Sequence, residues 1–347
     1  MKATHTLNDV TATPDIVVLA GGVGAARFLR ALHSARPHAD VLAIVNTGDD
    51  TVVNGVHVSP DIDTVIYTLS DAIDPDRGWG LRDETWRTME SLARYRASRP
   101  ESSTAPNDWF NLGDRDLATH LYRAARLREG ASLSEVSAEL ARAWQVPYRI
   151  QPMSDQTVET RVTLAESVTT TDGHEYQSGD VVSFQEYFVR LRHAVAVRNV
   201  TFSGAESAEP LGLTELAAAS HVVIAPSNPL VSIAPIRALR DVDATLSARR
   251  DTVVAISPIV GGAALKGPAD RMLRELGHES SALGVARMYQ SICGTLVVDS
   301  VDAELHDEIE ALGMRCIVTN TIMKSPDVAR TLAETVVGTV PITSERR

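Results

Sequence analysis

Apolar runs of four or five residues recur along the chain, each closed by glycine, proline or a polar cluster, with helically spaced stretches between them. The first run, Ile16-Val17-Val18-Leu19-Ala20, meets Gly21-Gly22-Val23-Gly24-Ala25 and then Ala26-Arg27-Phe28-Leu29-Arg30-Ala31-Leu32. That order predicts a buried parallel strand, a glycine turn and a helix. Val41–Val45 repeats the strand pattern and stops at Asn46-Thr47-Gly48-Asp49-Asp50. Ser59-Pro60-Asp61-Ile62-Asp63 then leads into Thr64–Leu69, a helix start with acids near its first turn. Further strands are predicted at Val222–Ala225, Val253–Ile256, Leu296–Val298 and Cys316–Val318. Helical segments lie near Ile233–Leu239, Ala269–Leu276, Leu283–Ile292 and Ala303–Leu312. Pro326–Val337 reads as a closing helix, with Ser325 as N-cap and proline at the first helical position. Strand and helix alternate, which predicts an α/β fold: a doubly wound, mostly parallel, Rossmann-like sheet.

The pattern changes between about Asp71 and Ala194. Helical periodicity dominates Asp83–Arg96, Arg115–Arg128 and Ser134–Trp144, and Ser132-Leu133-Ser134-Glu135 has the form of a capping box. Glu159–Leu164 and Glu186–Leu191 have β-rich character, separated by turns at Asp172-Gly173 and Ser178-Gly179-Asp180. The expected organisation is a flexible tail over 1–14, a nucleotide-binding core from 15–70 and 195–340, and a mixed helical and antiparallel insertion over 71–194 that covers the site. Pro341–Arg347 should be a frayed end.

With 347 residues, 44% of them apolar, the chain can bury a sizeable core. Its net charge of −12 and the lack of a dense Lys/Arg tract exclude a nucleic-acid partner. Cys293 and Cys316 sit in apolar stretches without metal-ligand spacing, as suits buried thiols in a reducing compartment. The first fourteen residues lack the charged start and apolar stretch of a secretory signal, and no apolar run reaches membrane-spanning length. A cytoplasmic protein without membrane attachment is expected.

Chemistry gathers where strands end, the ligand-binding edge of a doubly wound sheet. Gly21, Gly22, Val23 and Gly24 would offer backbone N–H groups and a helix N-terminus to a phosphate. The spacing fits neither the Walker pattern nor G-x-G-x-x-G, whose last glycine would fall on Arg27, and a plain tight turn is the alternative. Asp49, Asp50, Asp61 and Asp63 fall within fifteen residues, and such a cluster beside a phosphate loop can hold Mg²⁺; helix capping and a polar turn are the competing roles. Ser227, Asn228 and Pro229 follow another buried strand, and Ser257-Pro258-Ile259-Val260-Gly261-Gly262, with Lys266 nearby, repeats the arrangement. Trp109 and Phe110 could stack on a planar ligand, whereas Asp114, Arg115 and Asp116 read as a helix cap. His120 reads as a packed histidine rather than a base, and Met153-Ser154-Asp155 as a turn or a cleft lining.

Eight stretches in order resemble the 2-phospho-L-lactate transferase (CofD) family of deazaflavin coenzyme biosynthesis. They are Gly21–Arg27, Asn46–Asp50, Pro60–Thr64, Gly78–Gly80, Leu112–Asp116, Pro152–Asp155, Pro226–Pro229 and Ser257–Gly261. Asp74-Pro75-Asp76-Arg77-Gly78-Trp79-Gly80 is similar to the actinobacterial branch. Ala25 and Ser59 depart from the family pattern, standing where relatives often have glycine and cysteine. The resemblance implies transfer of a phosphoenolpyruvyl or 2-phospholactyl group from a guanosine-diphosphate-activated donor to the ribityl hydroxyl of the deazaflavin precursor Fo, with release of GMP and a requirement for Mg²⁺. On that reading Asp63, Asp50 and Asp61 carry the chemistry, with Asp50 and Asp63 on the metal. Gly21, Gly22, Val23, Gly24, Asn46, Ser227, Asn228, Pro229, Trp109 and Asn111 would bind the two substrates, and a homodimer is expected. A regulator of the same superfamily that binds a nucleotide sugar without turnover is the alternative.

Overall fold

Seven wholly apolar or alternating segments form one sheet, and every neighbouring pair in it is parallel. In chain order they are β1 (Ile16–Ala20), β2 (Val41–Val45), β3 (Arg149–Pro152), β4 (His221–Ile224), β5 (Val253–Ile256), β6 (Thr295–Asp299) and β7 (Arg315–Thr319). The spatial order is β7-β6-β5-β4-β1-β2-β3, so the winding reverses between β1 and β4. That is the doubly wound order, whose crevice opens at the reversal. The computed structural model describes residues 13–100, 103, 105, 109–171 and 173–338. Most of the expected tail, the expected frayed end and Asp172 of the predicted turn lie outside the described residues.

Alternation along β1 sorts the core into two layers. Val17 and Leu19 enter one, with Leu246, Val285 and Tyr289. Ile16, Val18 and Ala20 enter the other, with Phe28 and Leu29 of α1 (Val23–Ala35), Ile62 and Ile66 of α2 (Pro60–Leu69) and Leu332 of a closing helix (Pro326–Gly338). Each fully buried Leu, Ile or Phe contributes about 2 kcal/mol. These layers clamp α1 so that its N-terminus points over the end of β1.

The middle of the chain departs from expectation in three ways. Arg149–Pro152, inside the expected insertion, is the edge strand of the central sheet, pairing Leu42 with Arg149 and Val45 with Pro152. Its one-face burial hides it among polar neighbours. Val197–Ser203 pairs antiparallel with Glu159–Leu164, so the small sheet continues past 194, where the core was expected to resume. Glu186–Leu191 is not β: Leu191 N–H donates to Glu186 O at 2.8 Å, closing a wide helical turn. Phe184, Tyr187 and Leu191 are buried at spacings of three and four, the helical period.

Two acids exchange caps around the 84–116 segment. Glu84 accepts from the N–H groups of Arg115 and Asp116, at 2.5 and 3.2 Å, and so caps α3 (Asp116–Arg128). Asp114 instead accepts from Thr85 Oγ1 and from the N–H groups of Arg87 and Thr88, at the start of a short helix over Arg87–Ala93. These bonds hold Asp114 below the usual carboxylate range. A Cβ at Gly113 would lie 2.1 Å from Glu84 Cγ, so the exchange needs glycine there. The periodicity over Asp83–Arg96 is thus split, because Asp83–Trp86 serve as a cap strand for α3. The capping box at Ser132 and Glu135 forms as expected and starts the helix Leu133–Ala143.

Candidate active site

The glycine turn and the loop after β4 interlock at the reversal of the sheet. Gly21 N–H donates to Ser227 Oγ at 3.2 Å, and a Cβ on Gly24 would fall 2.0 Å from the carbonyl oxygen of Pro226. No side chain fits between these backbones, which explains glycine at position 24. Gly22 stands at the N-cap of α1 with no side-chain cap, leaving the first N–H groups of the helix open. Gly22, Val23, Gly24, Ser227 and Asn228 line a cavity of about 780 Å³, a volume suited to a substrate of cofactor size. Asn228 Oδ1 accepts from Leu230 N–H at 2.9 Å, and Pro229 is buried behind the loop.

An acidic floor closes this cavity. The β2 end carries Asn46, whose Nδ2 donates to Asp61 Oδ2 at 2.9 Å and whose Oδ1 accepts from Gly48 N–H at 2.9 Å. Asn46 thus shapes the acidic turn and aims Asp61 rather than meeting a ligand itself. A Cβ on Gly22 would lie 2.7 Å from Asp61 Oδ1, so that oxygen abuts the glycine turn. Asp49 lines the same cavity, and its Oδ1 is buried without a hydrogen-bond partner among the described residues. Burial, followed by the charge of Asp61, holds the Asp49 carboxyl well above its ordinary range. Burial pushes Asp61 up to about 7; the Asn46 hydrogen bond opposes this and the charge of Asp50 adds to it. Two buried carboxylates that resist ionising can be relieved by protonation or by a cation.

The sequence reading puts Asp50 and Asp63 on a metal, with Asp61 beside them. Asp50 is not among the cavity-lining residues: its Oδ2 accepts from Ser59 Oγ at 2.6 Å and from His57 Nε2 at 2.9 Å, beside the hairpin Thr51–Val53/Val56–Val58, while its Oδ1, like that of Asp49, is buried without a hydrogen-bond partner among the described residues. Asp63 lines the cavity, yet both its oxygens are taken by Arg123 of α3, Nη1 donating to Oδ2 at 3.1 Å and Nη2 to Oδ1. Arg123 is fully buried, so the pair is shielded from water. Among the described residues no group of three or more His, Cys, Asp or Glu side chains is arranged to hold a metal ion. Asp49 and Asp61 form a pair, which fits Mg²⁺, since that ion takes one or two carboxylates and completes its shell with water and phosphate oxygens.

The remaining wall is apolar and aromatic, contributed by Trp79, Phe110, Leu112, Phe184 and Phe188. Phe188 stacks on Phe184 at 5.4 Å. Asn111 is part of the lining, but Trp109 is turned edge-on to Phe110 and packs in a small cluster with Met89 and Leu112. Gln185 joins this wall to the floor, donating to the carbonyl of Asp49 at 3.0 Å. Cations Arg27 and Lys266 stand around the same cavity. Phe184 and Phe188 carry no mark in the sequence pattern, Phe188 because it falls in Glu186–Leu191, which reads as β-rich.

The chain from 16 to 331 matches the family model "2-phospho-L-lactate transferase CofD". It belongs to the CofD family. A Streptomyces griseus protein named phosphoenolpyruvate transferase is 43% identical over 321 residues, covering 92% of this chain and 96% of that one. A Mycobacterium tuberculosis protein of the same name is 40% identical over 319 residues, covering 87% and 92%. A Bacillus halodurans protein of the UPF0052 family shares the fold, with a TM-score of 0.55 at 15% identity over 94% of this chain and 99% of that one. Family membership makes the chain a transferase, and among the described residues no helix is long and apolar enough to cross a membrane.

Proposed function

We propose that this CofD-family transferase moves a phosphoenolpyruvyl group, or its 2-phospholactyl counterpart, from a guanosine-diphosphate-activated donor to the terminal ribityl hydroxyl of Fo, releasing GMP. The observation that carries the reading is the contact of the phosphate turn with the acidic floor, Gly22 against Asp61, inside a cavity walled by aromatic rings. The relatives named phosphoenolpyruvate transferase favour the enolpyruvyl donor.

The open N–H groups of Gly22, Val23 and Gly24 would hold the diphosphate at the positive end of α1. Arg27 and Lys266 add charge at the cavity wall. Asp49 and Asp61 would hold Mg²⁺, which when bound neutralises charge on the phosphoryl oxygens. The aromatic wall accepts a flat ring and keeps water from competing with the attacking hydroxyl. Holding hydroxyl and phosphorus in line supplies much of the rate enhancement in phosphoryl transfer. Incubation with Fo, each guanylated donor and Mg²⁺, followed by mass spectrometry, tests the reading. The expected product is Fo extended by the phosphoenolpyruvyl group together with GMP, and unchanged Fo with both donors would refute it.

A further inference from the structure

Two nitrogens of cavity-lining residues, Arg77 Nε and His120 Nε2, are buried without a hydrogen-bond partner among the described residues, and His120 is the one set beside a carboxylate on its own helix. His120 of α3 lines the cavity and is almost fully buried, yet its Nε2 makes no well-aligned hydrogen bond among the described residues, the nearest acceptor being Asp116 Oδ1 at 3.4 Å. A buried donor without a good partner costs about 1 to 3 kcal/mol, so one beside a cavity gains by meeting a ligand group.

Its surroundings fix what it can offer. Nδ1 lies 3.3 Å from Nη1 of Arg123, and a guanidinium only donates, so Nδ1 presents its lone pair. The proton of the neutral imidazole therefore sits on Nε2. Asp63, 3.7 Å from Nδ1, is already claimed by the same guanidinium. On the other ring edge, Nε2 stands 3.4 Å from Asp116 Oδ1, one helical turn earlier. That oxygen accepts from the Tyr67 hydroxyl at 2.7 Å, and Tyr67 in turn meets Thr119 Oγ1 at 2.8 Å, so the carboxylate is pinned. Tyr67, Asp116 and His120 all line the cavity.

A fixed N–H donor beside a fixed carboxylate acceptor matches a hydroxyl, which both accepts and donates. We propose that Asp116 and His120 form a hydroxyl-reading pair that positions the polyol chain of the acceptor: a substrate hydroxyl accepts from His120 Nε2–H and donates to Asp116. His120 is then a positioning residue and not the base that removes a proton. The proposal rests on the transferase reading of the cavity, since it takes the ligand to be a ring bearing a polyol.

Fluorescence titration of Fo in the presence of GDP and Mg²⁺ tests it on wild type, His120→Gln and His120→Leu, with GDP affinity and melting temperature measured on each. Glutamine carries an amide donor of similar reach, so His120→Gln should bind Fo within about threefold of wild type, whereas His120→Leu should bind about tenfold more weakly at unchanged GDP affinity. An Fo analogue without tail hydroxyls should bind wild type and His120→Leu alike, the non-additivity expected of a direct contact. Equal binding of Fo by wild type and His120→Leu, or a His120→Gln as weak as the leucine variant, overturns the pair. If the leucine variant does not fold, wild type decides alone: an analogue bound as tightly as Fo overturns the proposal. No Fo binding by wild type overturns the transferase reading itself, and the proposal with it.

Discussion

Replacing Asp61 by asparagine should stabilise the metal-free protein while abolishing its response to Mg²⁺. Burial pushes the Asp61 carboxyl from its ordinary 3.8 up to about 7. A group whose folded value is raised favours the folded state fully below about pH 4, loses that contribution as pH rises toward 7, and is flat above. Each pH unit in that window is about 1.4 kcal/mol, so ionised Asp61 costs the empty protein about 4 kcal/mol at pH 8. Asparagine carries no charge and can still accept from Asn46. Asp49, whose carboxyl is raised partly by the charge of Asp61, is relieved in the same direction. Urea unfolding without divalent cation should show Asp61→Asn more stable than wild type at pH 8, with about 2 to 3 kcal/mol of the gain appearing between pH 5 and pH 8. Adding Mg²⁺ at pH 8 should raise wild-type stability and leave the variant unmoved. A variant no more stable than wild type at pH 8, or an advantage of equal size at pH 5, would refute the reasoning.

The buried pair across α2 and α3 predicts the opposite behaviour: Arg123→Met leaves Asp63 uncompensated and should cost about 3 to 5 kcal/mol in urea unfolding, and a variant unfolding at the wild-type midpoint would contradict the pairing. In the aromatic wall, Phe188→Ala should weaken Fo binding about tenfold by fluorescence titration, whereas Trp109→Ala, outside the lining, should leave it within about twofold; the reverse order would return the platform to Trp109.

The seven-strand sheet was readable wherever a strand is buried on both faces, since β1, β2 and β5 are unbroken apolar runs. β3 shows only one buried face, so its pattern merges with its polar surroundings. The glycine turn was equally legible as a strand-to-helix bend, although what demands glycine at position 24, the carbonyl of Pro226, is remote in sequence. The acids were harder. Asp49 and Asp50 are neighbours in sequence, and only the hairpin that draws Asp50 to His57 and Ser59 leaves Asp49 toward the cavity. Asp63 looked free because its partner Arg123 lies sixty residues on, across a helix pairing that no periodicity encodes. The same distance hid His120, whose meaning depends on which of its nitrogens meets the guanidinium.

The interlock of the two loops at the sheet reversal also sets a timetable for biosynthesis. The hydrogen bond from Gly21 to Ser227 joins residues 206 positions apart. A ribosome makes about 5 to 20 residues each second, so the glycine turn waits some ten seconds or more outside the exit tunnel before its counterpart exists. Through that interval β1 has β2 on one side and a bare edge on the other, where β4 will dock. A ligand that needs both loops cannot rescue the nascent chain early, because half of that wall has not been translated. Ligand-assisted folding therefore begins only after β4 emerges, and stalling upstream of residue 221 leaves β1, an unbroken apolar strand, without its neighbour.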